Sequence, residues 1–224
     1  MPEDLWITGN RFLSLAEMQI NAELFQGWAL AAGWSVHAIC AMLGNIQSES
    51  TINPGIWESL SPYSGGYGLV QWTPYTKYSN WAGAGWENNG YKEMQRIQYE
   101  AANNLQWFYN SQIGQAPPYS FSAFLADEET AIETMANYFL WFYEHPANPI
   151  QPARGTQALY WYNYLDWEND LVQSRACYEV AVKHGKKVVV MEPVKGGSLA
   201  NLPEKAQEIF DGLQGGSAAS YAIR

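Results

Sequence analysis

All 11 tryptophans of this 224-residue chain precede residue 168, and nearly all of its 15 tyrosines lie in the same stretch. There they occur among Asn, Gln and Ser, with little charge between them. So many large rings must be buried together or must line a surface that something else covers. Sugar-binding clefts have this composition, because flat rings pack on the apolar faces of pyranoses while amides bond the hydroxyls. Any single ring serves equally well as core; only the cluster points to a carbohydrate groove.

The charge excludes other classes. Lys and Arg number 12 against 22 Asp and Glu, a formal charge of −10, and no basic excess exists to track a phosphate backbone. A nucleic-acid partner is not expected. The apolar content of 47% excludes a disordered chain. No apolar run reaches the roughly 18 residues of a membrane span. The opening MPEDLWITGN is acidic and has no apolar signal core, so no cleaved signal peptide is expected. Cys40 and Cys177 sit in apolar helical patterns and read as small buried hydrophobes, not as a bridge. The three histidines are scattered, so no metal site and no cofactor are expected.

Along the chain the pattern is mostly helical. Ser14 and Glu17 form a capping box, and Met18, Ala22, Phe25, Ala29 and Ala32 share one helical face up to Gly33. Ser35 caps a second helix with the stripe Val36, Ile39, Cys40, Leu43 and Ile46, running to about Glu49 before Asn53-Pro54-Gly55. From Gly55 to Trp72, glycines and Pro62 break the pattern into short extended pieces, which predicts a small β-hairpin lobe. Helices are predicted again over Lys92–Tyr109, Asp127–Glu144 and Arg154–Tyr164, the last after an extended link through Pro146, Pro149 and Pro152. The fold class is α+β, mostly α, over residues 1–165.

Residues 168–224 follow another grammar. They contain no Trp and bring in Lys183, Lys186 and Lys187. A helix over Asn169–His184, a Val-rich strand over Lys187–Met191 and a helix over Pro203–Leu213 are predicted. This is too little chain for a closed α/β domain.

Glu49 is the leading candidate for chemistry. It lies at the C-terminal end of a helix beside an apolar stripe, where partial desolvation and the negative end of the helix dipole both favour the neutral acid. A neutral carboxyl beside a sugar groove can protonate the leaving oxygen of a glycosidic bond. The alternative is a solvated helix-end glutamate.

The segments AICAMLGNIQSESTINPGIWE and GGYGLVQWTPYTKY, continued in FLWFYEHPANPIQPARG and ALYWYNYL, resemble the phage tail lysozymes over residues 8–165. Glu49-Ser50 followed by Gly68-Leu69-Val70-Gln71 is similar, more distantly, to a pattern of goose-type lysozymes and lytic transglycosylases. The resemblance implies a lysozyme-like domain acting on bacterial peptidoglycan as a muramidase, with Glu49 as general acid. It implies that Gln71 bonds the sugar, that Tyr67 and Trp72 line the cleft with Ser50 beside the acid, and that Tyr143 stands near it. Each has its plainer reading: Gln71 satisfying a backbone group, and the rings as core. For a second carboxylate the candidates are Glu58 and Glu144, the latter also readable as an ion-pair partner of Arg154. A transglycosylase reaction by the sugar's own 6-hydroxyl and a non-catalytic glycan-binding module remain open beside the hydrolase. A phage tail origin would place the chain in the virion among other tail proteins.

The stretch NYLDWENDLVQSRACYEVAVKHGKKVVVMEPVKGGSLANLPEKAQEIF, with SAASYAIR at the end, resembles an internal piece of the aldo/keto reductases over residues 163–224. That family is a (β/α)8 barrel, of which residues 166–224 would be an incomplete βα fragment. The family's catalytic Asp, Tyr, Lys and His have no counterpart here, so reductase activity is not expected.

Overall fold

The computed structural model describes residues 5–165 and residue 167. The elements predicted over 169–213, Cys177 and the reductase-like fragment lie outside them. The described part is built from helices: α1 (Leu15–Ala31), α2 (Val36–Ser50), α3 (Thr76–Ala82), α4 (Gly90–Ala102), α5 (Phe121–Leu125), α6 (Ile132–Phe139) and α7 (Ala153–Tyr164). A 3₁₀ turn covers Glu58–Leu60, and a π-helical turn over Leu140–Glu144 continues α6.

Helix α2 is the centre. Every residue from Ala38 to Ile46 is buried, so this helix is enclosed on all sides, which the single stripe did not foretell. It packs against α7, α6, α1 and α5. Gly44 marks its closest approach to α7: a Cβ there would meet the backbone nitrogen of Ala158 at 2.6 Å. Asn45, also fully buried, donates from Nδ2 to the carbonyls of Ala41 and Ala136 and so ties α2 to α6.

Several boundaries differ from expectation for identifiable reasons. The Ser14–Glu17 capping box forms, and Ser35 Oγ accepts from Ala38 N–H. Helix α2 ends because Thr51 and Ile52 both turn left-handed, at φ 55° each, one step before the Asn-Pro-Gly run. Helix α4 stops at Ala102 rather than near Tyr109. The chain turns through left-handed Asn104 and Gln106 so that Trp107 can stack on Phe121, with centroids 4.9 Å apart. The helix expected from Asp127 begins at Ile132, because Asp127 Oδ1 accepts from the N–H groups of Glu129 and Thr130 and closes a turn of its own.

The β-hairpin lobe is a correction. Over 57–72 only isolated antiparallel bridges join Trp57 to Tyr67 and Tyr67 to Trp72, and no strand ladder occurs among the described residues. Side chains hold this lobe instead. Trp57 meets Tyr67, Tyr75 and Trp86 at 4.6, 5.1 and 5.8 Å between centroids, and Trp72 stacks on Tyr78 at 4.8 Å. Among the described residues no helix is long and apolar enough to cross a membrane.

Candidate active site

A cleft of about 570 Å³ opens where the end of α2, the 56–59 and 70–73 segments, the 106–108 loop and the π-helical turn converge. Of the residues singled out from the sequence, Glu49, Glu58, Gln71, Trp72, Tyr143 and Glu144 line it. Tyr67 and Ser50 do not.

The last turn of α2 delivers Glu49 to the cleft wall, where its side chain is 22% exposed. It is not alone there. Arg154, in the first turn of α7, places Nη2 2.5 Å from Glu49 Oε1. The guanidinium is itself buried. Its Nη1 donates to both the backbone and side-chain oxygens of Asn45 at 3.2 Å, and Nε donates to Gln151 Oε1 at 2.9 Å. The ion pair expected between Arg154 and Glu144 is therefore made with Glu49 instead. The reason is that α7 lies along α2, and Arg154 rises beside Asn45, one helical turn from Glu49.

Glu144 ends the π-helical turn, and its Oε1 is shut away from solvent without a hydrogen-bond partner. Burial pushes this carboxyl well above the usual glutamate range; the charge of Glu49 adds to the effect and Arg154 opposes it. A π turn carries one extra residue relative to an α turn, and that shift of phase aims both Tyr143 and Glu144 at the cleft. Glu58, on the 3₁₀ turn, also lines the cleft, with Oε2 accepting Gly66 N–H at 2.7 Å.

Gln71 lies in the left-handed region, at φ 49°, which turns its side chain back across the loop. Nε2 donates to Gly68 O at 2.8 Å and to Ile56 O at 3.3 Å. The amide thus satisfies backbone carbonyls, the plainer of its two readings, while the residue still forms part of the cleft lining. Beneath this turn Glu93 accepts Leu69 N–H at 2.6 Å. It is fully buried, and burial holds its carboxyl well above the usual range.

Most of the predicted rings serve as core. Trp72 and Tyr143 form the cleft floor with only 3% and 1% of their surface exposed. Tyr67 is enclosed among Trp57, Tyr78 and Trp86, and its hydroxyl accepts Asn88 N–H at 2.7 Å, so it is a correction to the binding set. Ser50 is another: its side chain is fully buried and donates to Ile46 O at 3.0 Å within α2. The exposed rings of the cleft are Phe12 at 65% and Phe108 at 49%, neither of them a Trp or Tyr of the aromatic cluster. Phe108 stacks on His145, whose Nε2 lies 3.0 Å from Phe142 O and whose pKa burial lowers. Lys77 brings a cation to the lining of the same cleft.

The chain matches the family model described as phage tail lysozyme over residues 21–165. It is also similar to morphogenesis protein 1 of Bacillus phage B103, with 45% identity over 169 residues. The match covers 72% of this chain and 43% of that protein, so the chain spans less than half the length of this relative. The family match takes in α2 with Glu49, the Gly68–Gln71 turn, the π-helical turn and α7 with Arg154, and on this ground the chain belongs to the phage tail lysozyme family.

Proposed function

We propose that the chain is a peptidoglycan-degrading glycosidase, a muramidase that cleaves the β-1,4 bond of the glycan strand with Glu49 as general acid. The observation that carries this reading is the convergence of Glu49 and Glu144 on one cleft, from elements far apart in sequence. Glycosidic cleavage needs a carboxyl that gives a proton to the leaving oxygen and a second group that supports the developing positive charge or activates water. Glu58, which also lines the cleft, is the other candidate for that second role.

Arg154 favours a second division of labour. A guanidinium fixed on Glu49, beside a dry and unpartnered Glu144 oxygen, separates the two carboxyls by environment. On that reading Glu144 holds the proton and Glu49 acts as the charged partner. Bacterial peptidoglycan is the proposed substrate, and a phage virion the proposed setting, in which other tail proteins would be neighbours.

The experiment is mass analysis of fragments released from purified sacculi by wild type, Glu49→Gln and Glu144→Gln. Loss of cleavage by Glu49→Gln, with retention on sacculi preserved, supports a catalytic Glu49; unchanged cleavage overturns it. The pH–rate profile decides which carboxyl is the acid, since removal of the proton donor abolishes the alkaline limb. Products one water lighter, carrying an anhydro sugar, identify a transglycosylase. Retention without cleavage by wild type identifies a binding module.

A further inference from the structure

Glu100 is absent from the cleft lining, yet two of its floor residues are tied to it. It lies in the last turn of α4 and is 1% exposed. Its Oε1 accepts the indole N–H of Trp72 at 3.1 Å, and its Oε2 accepts the hydroxyl of Tyr143 at 2.5 Å. Trp72 comes from the loop after the Gly68–Gln71 turn, and Tyr143 comes from the π-helical turn. One buried carboxyl thus joins the two segments that bring Gln71 and Glu144 to the cleft.

Arg96 completes the group. Its Nε stands 2.8 Å from Glu100 Oε1, and its guanidinium carbon lies 5.5 Å from the Trp81 ring centroid and 5.4 Å from that of Tyr99. Burial raises the Glu100 carboxyl above its ordinary range, while the Tyr143 hydroxyl and Arg96 pull the other way. A buried ion pair contributes little net stability compared with apolar packing of the same volume. What it supplies is a unique orientation for the groups that donate to it.

We propose that Glu100 is a positioning residue, which sets Trp72 and Tyr143 in the orientation that holds the glycan strand against Glu49. The inference rests on the glycosidase reading and deepens it by naming a residue that acts through the cleft floor. Because the floor shapes how the scissile bond sits, the effect falls on turnover more than on the binding contributed by the rest of the cleft.

The test is Glu100→Gln, which keeps an acceptor oxygen and the side-chain volume, assayed on soluble glycan strands and for retention on sacculi. Turnover should fall about ten- to a hundredfold, as a small misplacement at the site does, with KM changed no more than about twofold. Tyr143→Phe removes one donor and leaves its ring stacked on Phe139; it should lose turnover even at a temperature where the variant is fully folded. The double variant should be less damaged than the two single losses multiplied together, because both act on the same link. Wild-type turnover in a folded Glu100→Gln, or a loss expressed only in KM, overturns the proposal. Should Glu100→Gln fail to fold, Tyr143→Phe decides alone: lost turnover at constant KM supports the role and unchanged turnover refutes it. If wild type is retained on sacculi without cutting, the glycosidase reading fails and the positioning role that rests on it is overturned with it; a wild type that cuts beside a Glu100→Gln that cuts equally well overturns the positioning role alone. A wild type that neither cuts nor is retained overturns both.

Discussion

Arg154 Nη2 stands 2.5 Å from Glu49 Oε1, and the guanidinium that makes this contact is buried and held at its other nitrogens by Asn45 and Gln151. The carboxylate proposed for catalysis therefore has its position dictated by α7. Arg154→Lys keeps a charge but loses the planar fork that reaches Glu49 and Asn45 together. Cleavage of sacculi should fall at least about tenfold, and the pH–rate profile should shift, because the cation that opposes the raised Glu144 carboxyl changes place. Arg154→Met should also lose about 1.5–3 kcal/mol of stability, measured by urea unfolding, as the charge-assisted bond and the Asn45 contacts disappear. A Lys variant with the wild-type pH profile would remove Arg154 from the site.

What the sequence disclosed and what it withheld follow from how local each signal is. The start of α2, its stripe and the arrival of Glu49 at its end depend on residues within a few turns and were legible. The same holds for the Ser14 cap. The burial of α2 on all sides was not, since it requires α6 and α7, nearly a hundred residues away, to close over it. The Gly68–Gln71 turn was recognisable as a motif, but the lobe around it is held by ring contacts between Trp57, Tyr67 and Trp86, not by a β-ladder, and periodicity carries no trace of that. Arg154 is visible in the sequence as a charge near Pro152, and nothing local there distinguishes Glu144 from Glu49 as its partner. Only the alignment of α7 on α2 shows that Asn45 and Glu49 claim it. Glu93 and Glu100 carry no sequence signal, because an acid in an amphipathic helix reads as solvated and burial is a property of the neighbours.

Stability should fall as pH rises from mildly acidic toward alkaline values. Glu144 and Glu93 are both held above the usual glutamate range, first by burial. In the unfolded chain they ionise near the ordinary value of 4.5, so above it the unfolded state binds fewer protons and is favoured by rising pH. His145, lowered by burial, has the opposite sign and adds stability as pH rises through its ordinary value. Glu17, pulled down to about 2 by Arg11, contributes fully above its ordinary value and loses that contribution only as pH falls toward about 2, below the range from about pH 5 to about pH 8. The melting temperature should therefore be higher at about pH 5 than at about pH 8, and Glu93→Gln and Glu144→Gln should each flatten that difference. A steeper dependence in either variant would contradict the buried neutral acid.

Ser50 and Gln71 separate motif from function. Ser50 is enclosed in α2 and bonds Ile46 O, so Ser50→Ala should leave cleavage within about twofold of wild type while costing about 1 kcal/mol of stability. Gln71 lines the cleft with a left-handed backbone, so Gln71→Gly relieves the conformational cost and removes the amide. Its melting temperature should stay near the wild-type value, the relieved backbone offsetting the lost bonds to Gly68 O and Ile56 O, while cleavage falls about tenfold as this part of the cleft lining loses its fixed shape. Equal losses of activity in the two variants would return Ser50 to the site.

Gly44 offers a test of the frame that carries Glu49. It lies buried in α2 where α7 crosses, and an added Cβ would strike the Arg154 carbonyl oxygen and stand 2.6 and 2.9 Å from the backbone nitrogen and Cα of Ala158. Backbone cannot swing aside as a side chain can, so α7 must move away from α2 to admit the methyl group. Gly44→Ala gains helix propensity in isolation, about 1 kcal/mol, and in an exposed helix it would stabilise. Here overpacking should exceed that gain and give a net loss of about 1–3 kcal/mol. The displacement acts on the first turn of α7, which holds the guanidinium on Glu49, so cleavage should fall together with stability even though Gly44 touches no part of the cleft. The pair of measurements is the melting temperature and the rate of fragment release at a temperature where the variant remains folded. A variant as stable as wild type would show that α2 and α7 tolerate separation. A destabilised variant with full activity would show that the Arg154–Glu49 contact does not govern the chemistry.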